Sequence, residues 1–477
     1  MFENLRERAR PWTWLAVALL GAFVLRWTMA RFGAAMLLPA LLGLEVLVFA
    51  LWSFRARFFT LLLLAFFLAG TRTPLLGPFT MARWAVLAVG AAAGFVLYLR
   101  QRHASFGIFH WVGVCCILSA LVSALVSIYG VVALLKTGSL ALLFLYAATG
   151  ARLAIRGREA QFLSGLLLMC ELLAYGSALL YFVFRDPFFG NPNSLGATMG
   201  VVVIPALLWG VLISEGTPLY RRRIFALAVA IGLLFSSYSR AGIGAAAVSC
   251  LVLCLALRRY RLLAKGALLA LVMATVVVIR APMQGDDSDS LISAFIYKGK
   301  PETELLESRE RPWQRTTEVI REHPWFGSGF GTSATNVDEV QEKPGVYSSN
   351  LATHREHGDS YLAIVQWMGL LGVAPFALLA LLVAGSAIRV WLWAWRTASP
   401  FSPAIPIAAI VTAGLVHAAF EDWLFAVGYY LCVFFWSLAF ALVDILPAPA
   451  TSPARVRVAL KPRPWPAGYR PAADPGR

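Results

Sequence analysis

Arginine side chains in two polar segments of this sequence could bind a phosphate ester. Arg240 lies in "SSYSRAG", and Arg309, Arg311 and Arg315 lie in "SRERPWQR". A guanidinium presents two parallel N–H donors to two phosphate oxygens, so arginine binds phosphate with a defined geometry. Two alternatives remain open. Arg240 could snorkel or cap a helix, and Arg311 and Arg315 could be solvated charges balanced by neighbouring glutamates.

Two histidines in "THREHGDSYLAIVQWMGLLG" could act as a general base. His354 and His357 precede a helix that is predicted to begin near Ser360, and imidazole titrates near neutral pH. Glu356 or Asp359 could orient the ring or raise its pKa. A metal site is the weaker interpretation, because no HExxH motif or comparable third ligand accompanies the two histidines.

Two further polar segments are explained by local structure. "GNPNSLG" places Asn191 and Asn193 at the start of a helix predicted to open at Leu195, where such residues cap the first turn. That helix N-terminus could also hold an anion, but capping alone accounts for the pattern. In "VHAAFEDW", His417 could form a structural pair with Glu421.

The composition excludes a water-soluble enzyme as the setting for these residues. Of 477 residues, 59% are hydrophobic and only 14% are charged, whereas soluble proteins have about 25% charged residues. The formal net charge is nevertheless +16. No basic patch on a folded soluble surface accompanies that charge, so a nucleic-acid partner is not expected. The sequence therefore predicts an integral membrane protein.

Apolar runs predict the helices that must position the polar segments. Runs of about 17–25 apolar residues indicate transmembrane helices. About 14 candidates are present, at 12–30, 35–53, 58–69, 81–99, 106–127, 131–150, 162–184, 195–213, 224–235, 241–257, 262–279, 361–390, 404–420 and 423–446. The run at 58–69 is short enough to be re-entrant.

Basic residues between these runs predict the orientation in the membrane. Cytoplasmic loops carry the excess of Lys and Arg. If the spans alternate, the clusters at 6–10, 55–57, 100–103, 152–158, 221–223, 258–261 and 389–396 and the basic tail all fall on the side of the N-terminus. Both termini are therefore predicted to be cytoplasmic. The first run is expected to remain as an anchor, because no A-x-A-like cleavage site follows it.

The same alternation places one long polar segment on the outer side. Residues 281–360 contain 14 of the 25 acidic residues, and "RPWQRTTEVIREHPWFGSGFG" within them predicts a short helix ended by Pro324 and followed by a glycine-rich turn. The predicted organisation is N-terminal transmembrane helices in 1–280, a loop subdomain in 281–360, C-terminal transmembrane helices in 361–446 and a disordered cytoplasmic tail in 447–477.

This topology brings the candidate residues to the outer face. Cations that stabilise a departing pyrophosphate, with a base that deprotonates an attacking hydroxyl, suit transfer of a group from a membrane-bound phosphate ester. No GxxxxGK[ST] motif supports ATP chemistry. A transporter would more often have ionisable residues in mid-membrane or broken helices in paired halves, and the few candidates, Arg26, Glu45 and Glu171, are scattered.

The ordered motifs resemble the bacterial O-antigen ligases and the related O-antigen polymerases and protein O-oligosaccharyltransferases. The matching segments are "GNPNSLG", "SSYSRAG", "SRERPW" followed by "HPWFGSGFG", "EHGDSYLAIVQWMGLLGV" and "VHAAFEDW", in the order of the family and over residues 191–422. The resemblance implies an all-α integral membrane protein of the glycosyltransferase C-like type, a bundle of about 12–14 transmembrane helices with one large periplasmic loop. It also implies a bacterial inner-membrane location and an active site that faces the periplasm.

The resemblance further implies an inverting, metal-independent transfer that uses no cofactor. The donor would be O-antigen polysaccharide on undecaprenyl pyrophosphate, and the acceptor a sugar hydroxyl of lipid A–core oligosaccharide. Membrane lipids surround the protein, and no nucleic acid takes part. The family's junction arginine falls at Arg240 and its loop arginine at Arg309, four residues before Trp313, and both would bind the pyrophosphate with Arg311 as a further candidate.

The family's loop histidine falls at His357, as the base for the acceptor hydroxyl. Many relatives have closer spacing between this histidine and the following Tyr-Leu, whereas three residues separate His357 from Tyr361 here, so His354 stays an alternative. Supporting roles are expected for Asp359, Tyr361, Asn191, Asn193 and His417. Polymerase and protein O-oligosaccharyltransferase activities remain alternatives within the family, and a polysaccharide or lipid transporter is the alternative from another class.

Overall fold

The computed structural model describes residues 37–71, 79–100, 105–184, 189, 191–266, 268, 307–332 and 358–447. These residues are helical and contain no strand. The predicted span at 12–30, most of that at 262–279, the front of the polar segment and the tail lie outside this part of the chain. The two candidate bases, His354 and His357, lie outside it as well.

The helices follow one another with short connections. In chain order they are α1 (Leu37–Trp52), α2 (Phe54–Ala69), α3 (Phe79–Leu99), α4 (Ile108–Val126), α5 (Gly130–Ile155), α6 (Glu159–Val183), α7 (Pro192–Ile213), α8 (Leu219–Ser236), α9 (Arg240–Ala256), α10 (Glu307–Glu322), α11 (Ser360–Thr397), α12 (Ala404–Ala418) and α13 (Tyr430–Asp444). Wider π-helical turns interrupt α5, α6 and α7 at Ala147–Ala151, Leu179–Val183 and Thr198–Val203.

Helices α3 to α7 and α11 are long and apolar enough to cross a membrane. Shorter apolar helices accompany them within the described residues, namely α9, α12, α13 and most of α1. The prediction of a polytopic helical membrane protein is therefore confirmed. Helices α3, α5, α7, α9, α11 and α13 begin at one end of the bundle, where α4, α6, α8 and α12 end. We call this the site end.

Several predicted helix starts are wrong by three to seven residues. Helix α8 begins at Leu219 instead of 224, and α13 begins at Tyr430 instead of 423, because residues 423–429 form a loop. The run at 58–69 belongs to a helix that begins at Phe54, because Arg55 donates from Nε to the Leu153 carbonyl at 3.2 Å and is thus accommodated inside the first turn. The helix expected at Leu195 begins at Pro192, since proline suits the first turn, where its missing N–H costs no hydrogen bond. Hydropathy alone does not detect such polar first turns.

The centre of the bundle consists of α7, α12 and α13. These helices are buried on nearly all sides, and Trp436 of α13 is fully buried while its indole N–H donates to the Leu424 carbonyl at 2.6 Å. A helix that is apolar all round belongs in such a position. The outer helices instead expose large apolar side chains such as Trp111, Leu172 and Leu381, as expected for a surface that faces lipid.

Two ion pairs, each with one buried partner, join helices away from the site end. Arg152 of α5 forms a two-point pair with Asp444 of α13, with N–O distances of 2.6 and 2.7 Å. Glu171 of α6 lies 2.8 Å from Arg222 of α8 and 3.7 Å from Arg223. One of the few acids noted inside the apolar spans, Glu171, is thus paired within the bundle.

Candidate functional site

The "SSYSRAG" segment forms the tight turn between α8 and α9. Tyr238 adopts a left-handed backbone conformation with φ of 50°. Ser239 caps α9, because its hydroxyl accepts a hydrogen bond from the Gly242 amide at 3.3 Å. Arg240 is the first residue of α9 and is half-buried. The structure therefore places Arg240 at a helix junction, as the sequence predicts.

The "GNPNSLG" segment packs directly against this turn. A Cβ atom added at Gly196 would overlap the Ser239 side chain, and one added at Gly200 would lie 2.8 Å from the Gly242 carbonyl carbon. Only glycine permits so close an approach of α7 to α9. The first turns of these two helices consequently lie side by side at the site end, and Arg240 belongs to one of them.

Asn191 and Asn193 act together at the start of α7. The Asn191 side-chain oxygen accepts a hydrogen bond from the Asn193 amide at 2.9 Å, which satisfies one of the free N–H groups of the first turn. The capping role predicted for Asn191 is present in the structure. Asn191 is exposed and Asn193 is half-buried, so both remain near the surface of the site end.

A hydroxyl cluster that the sequence analysis missed ties α13 to α7. The Tyr430 hydroxyl lies 2.7 Å from the Thr198 hydroxyl and donates to the Ser194 carbonyl at 3.3 Å. The Tyr429 hydroxyl donates to that of Tyr430 at 3.3 Å. The signal in the sequence is the "YY" pair inside the run predicted at 423–446. Hydropathy scanning gives a tyrosine pair no special weight, so it was not selected.

Asp359 and Tyr361 fix the beginning of α11. The Asp359 carboxylate accepts hydrogen bonds from the Tyr361 and Leu362 amides at 2.7 and 3.3 Å, and therefore caps the helix. Burial raises the pKa of Asp359 above its ordinary value, although these two hydrogen bonds favour the charged form. The Tyr361 hydroxyl donates to the Leu415 carbonyl of α12 at 2.9 Å.

The "HGDSYL" and "VHAAFEDW" segments meet at Ser360. Its hydroxyl donates to the Glu421 carbonyl at 2.5 Å and accepts a hydrogen bond from the Leu424 amide at 3.1 Å. In the same loop the Trp423 indole N–H donates to Nδ1 of buried His417 at 2.8 Å. His417 therefore fixes the conformation of the loop through Trp423, a contact that was not foreseen.

The "HPWFGSGFG" segment forms hydrogen bonds with the backbone of α11 on both sides of a break in that helix. Gly369 has φ of 63° and ψ of −177°, a conformation that only glycine adopts readily, and it interrupts the helix. The amides of Ser328 and Gly329 donate to the Gln366 and Trp367 carbonyls at 2.9 and 3.2 Å. The amides beyond the break, at Leu370 and Leu371, donate to the Pro324 and Trp325 carbonyls at 2.8 and 3.2 Å.

Two serines of α4 and the serine that follows its last residue hold the broken helix and the loop together. Ser119, Ser123 and Ser127 follow one another at intervals of four residues, so they share one face of the helix. Their hydroxyls donate to the carbonyls of Gly372, Trp367 and Ser328 at 2.9, 2.6 and 2.7 Å, respectively. Such side-chain partners are needed where a break leaves backbone groups unpaired inside a membrane protein.

The loop leads back to α10, the short helix predicted from the sequence. Thr316 and Val319 are buried in this helix, which packs against α11. The backbone of Arg309 and Arg311 lies near the beginning of α10, and their side chains are not among those that the structure describes. Within the described ranges, no three His, Cys, Asp or Glu side chains are grouped as metal ligands. The metal-free transfer remains a prediction from the resemblance.

The fold and the site end define a polytopic helical membrane protein with a glycine-packed polar site at one end. A family model described as O-antigen ligase matches residues 225–377 of the 477. This part of the chain is therefore similar to the O-antigen ligase family, whose model indicates a glycosyltransferase-like membrane enzyme. No curated protein matches the chain.

The matched residues contain "SSYSRAG", α10, "HPWFGSGFG" and the first half of α11. "GNPNSLG" and "VHAAFEDW" lie outside them, at 190–196 and 416–423. The structure nevertheless joins these outlying segments to the matched ones, through Gly196 against Ser239 and through Ser360 against the loop after α12. The described parts of "GNPNSLG", "SSYSRAG", "HPWFGSGFG", "EHGDSYLAIVQWMGLLGV" and "VHAAFEDW" therefore lie at the site end, and α10, which contains "SRERPW", packs against α11.

Proposed function

We propose that the protein is an O-antigen ligase, which transfers O-antigen polysaccharide from undecaprenyl pyrophosphate to a sugar hydroxyl of lipid A–core. The observation that carries this proposal is the arrangement around Arg240. This arginine begins α9 in the matched region, and the start of α9 packs against the start of α7. The site end would face the periplasm of a bacterial inner membrane.

This arrangement favours a bound anion for two additive reasons. Helix N-termini carry a partial positive charge and unpaired N–H groups, and here two of them lie side by side. Arg240 adds a full positive charge at the same place. Arg309 and Arg311, near the beginning of α10, would complete the binding of the donor pyrophosphate from the polar segment that packs on α11.

The transfer itself requires a base and a stabilised leaving group. In the proposed reaction His357 takes the proton from the acceptor hydroxyl, whose oxygen forms a bond to the anomeric carbon. The bond from that carbon to the pyrophosphate oxygen breaks, and the electron pair leaves with undecaprenyl pyrophosphate. Attack from the face opposite the leaving group inverts the anomeric configuration. Arg240 and Arg309 stabilise the negative charge that develops on the pyrophosphate.

An apolar cavity of about 730 Å³ supports a lipid-linked donor. Phe59 and Phe67 of α2, Met169 of α6 and Phe434 of α13 are among its lining residues, and Thr198 and Tyr430 mark its end nearest the site. Because those two residues belong to the hydroxyl cluster beside α7, a chain in this cavity would reach the region of Arg240. The cavity is therefore the proposed place for part of the polyprenyl tail.

Reconstituted enzyme tests the proposal. Purified protein in nanodiscs is incubated with lipid-linked O-antigen and lipid A–core, and the product is measured as a gel shift. Arg240→Ala and His357→Ala are each expected to lower the rate by roughly 10²-fold or more, in line with the loss of a charge-stabilising or proton-transferring group. The matched control is Arg321→Ala, an exposed arginine at the end of α10, with an expected rate near wild type.

The choice of acceptor separates the related activities. Products formed from lipid-linked repeats alone would identify a polymerase, and products on a protein acceptor would identify a protein O-oligosaccharyltransferase. Either result, without transfer to lipid A–core, would overturn the ligase assignment. Lipid or glycan flux that survives in both variants, with no glycan transfer by the wild type, would identify a transporter instead.

A further inference from the structure

Two cations at the site end lie inside apolar helices and have no role in the function proposed above. Arg83 is the fifth residue of α3, Lys136 is the seventh residue of α5, and both are half-buried. Ionisable residues in such positions are costly, and they usually pair with opposite charge or mark a path for a ligand. The sequence analysis did not select them, because each is a single charge within a long apolar run.

The Arg83 guanidinium is held in one orientation. Its Nη1 donates to the Gly428 carbonyl at 2.9 Å, and its central carbon lies 5.0 Å from the Trp84 ring and 5.8 Å from the Phe66 ring. Its Nε is buried, and no acceptor lies within hydrogen-bond distance among the residues that the structure describes. The fixed Arg83 guanidinium can therefore donate from Nε to an additional acceptor.

Lys136 lies where four segments converge. Its charge interacts with the charges of Asp422 and Arg83. Its aliphatic chain lies against the glycine-rich loop, since a Cβ atom at Gly331 would be 2.8 Å from Lys136 Cδ. Arg83 and Lys136 thus form one basic group. It is surrounded by helices α3 and α5, the loop after α12 and the glycine-rich loop.

This basic group is separate from the Arg240 site. Helix α9 packs against α7, α11 and α12, whereas α3 and α5 pack against each other. The loop before α13 lies between the two groups, because its Gly428 contacts Arg83 and the following Tyr430 contacts α7. The two sets of cations therefore belong to different helices at the same end of the bundle.

We propose that Arg83 and Lys136 bind a phosphate group of the acceptor glycolipid. This inference rests on the proposed function, in which two lipid substrates must reach the same end of the bundle. A guanidinium fork together with an ammonium point charge suits phosphate. Separate cations would let the phosphorylated acceptor bind without competing for the pyrophosphate site. The partly buried setting strengthens the attraction relative to bulk water.

Direct binding tests the inference without requiring catalysis. Wild-type protein in nanodiscs of neutral lipid is titrated with lipid A–core and with the same acceptor after removal of its phosphates. The phosphorylated form is expected to bind at least roughly 10-fold more tightly, the contribution of one hydrogen bond to a charged group. Lys136→Gln should abolish this preference, Lys136→Arg should retain most of it, and the control Arg321→Gln should leave it unchanged.

Two kinetic and competition measurements identify the source of the phosphate. Lys136→Gln should raise KM for the acceptor and leave KM for the lipid-linked donor unchanged. A rise in the donor KM alone would assign the cations to the pyrophosphate and overturn the proposal. Equal competition by phosphatidylglycerol would overturn it too, because the site would then hold an ordinary phospholipid headgroup.

The test also distinguishes failure of this inference from failure of the proposed function. A wild-type protein that transfers no glycan, yet loses its preference for the phosphorylated acceptor through Lys136→Gln, would refute the transfer reaction only. A variant that transfers glycan and keeps the preference would refute the phosphate site only. Thermal unfolding of each variant shows whether the bundle is intact, and Lys136→Arg provides a second variant if Lys136→Gln unfolds.

Discussion

The close packing of α7 on α9 predicts a large effect from one added methyl group. In Gly200→Ala, the new Cβ would lie 2.8 Å from the carbonyl carbon of Gly242 and 2.9 Å from its Cα, whereas ordinary contact begins at 3.4 Å. The obstructing atoms are backbone, so no side chain can rotate away. The two helices must move apart by at least about 0.6 Å, which shifts Arg240 relative to the start of α7.

The expected cost follows from this displacement. Overpacking of a buried site costs roughly 1–3 kcal/mol of stability. A displacement of about 1 Å in a binding constellation can lower the rate about 10²-fold, so a shift of 0.6 Å or more should lower kcat about 10-fold or further. The assay is glycan transfer in nanodiscs, measured well below the unfolding temperature of the variant.

Gly244→Ala is the matched control. Gly244 lies in α9 as well, but nothing is within 4 Å of a Cβ added there, and alanine favours a helix by about 1 kcal/mol over glycine. This control should be fully active and equally or more stable. Wild-type activity and stability in Gly200→Ala would refute the reasoning, and so would equal damage in Gly244→Ala, which would show a general intolerance of α9 to substitution.

Three further predictions concern the elements that support the site. Arg152→Met leaves the largely buried Asp444 carboxylate without its two-point partner and should cost about 3 kcal/mol in the free energy of unfolding, while the additional change Asp444→Leu should recover most of that loss. Gly369→Ala forces a side chain into a backbone conformation reserved for glycine and should cost about 1–3 kcal/mol and weaken transfer; Gly385→Ala in the same helix, with open space around it, should do neither. Asp359→Ala should lose a helix cap worth about 1 kcal/mol, whereas Asp359→Asn should keep it. Because the folded-state pKa of Asp359 is raised, the wild type loses stability as the pH rises from its ordinary value of 3.8 through the folded value, and Asp359→Asn should remove this decrease. Unfolding in detergent, followed against denaturant and pH, checks all three predictions. The first would be contradicted by a double variant no more stable than Arg152→Met, and the second by equal behaviour of the two glycine variants. The third would be contradicted by a pH dependence of stability that is unchanged in Asp359→Asn.

Much of the helical architecture could be predicted from hydropathy and helix-capping residues. The junction at Arg240, the helix that begins at Ser360 and the short helix before Pro324 all occur where the sequence predicts them. Local rules suffice here, because caps, prolines and apolar runs act within a few residues. The same rules misplaced the first turns of α2, α7 and α8, where polar residues or proline precede the apolar run, and they started α13 seven residues too early.

The partners of the motif residues could not be predicted in the same way. Nothing near His417 in the sequence distinguishes Glu421 from Trp423 as its partner, and the indole N–H of Trp423 makes the hydrogen bond in the structure. The break at Gly369 could not be predicted either. The backbone groups that the break leaves unpaired are satisfied by the glycine-rich loop, which lies some 40 residues earlier in the sequence. Contacts of this kind depend on packing between distant segments.

The sequence by itself determined that this chain is a helical membrane protein whose motifs resemble those of the O-antigen ligase superfamily. The length of the apolar runs and the order of the motifs are both properties of the linear sequence. Only the tertiary structure decided that Gly196, Gly200 and Gly242 bring two helix starts together beside Arg240. It likewise decided that Lys136 lies close enough to Asp422 and Arg83 for their charges to interact, since these residues are far apart in sequence and each is unremarkable within its own segment. Proximity across helices depends on the fit of side chains in three dimensions, and no periodicity along one helix records it.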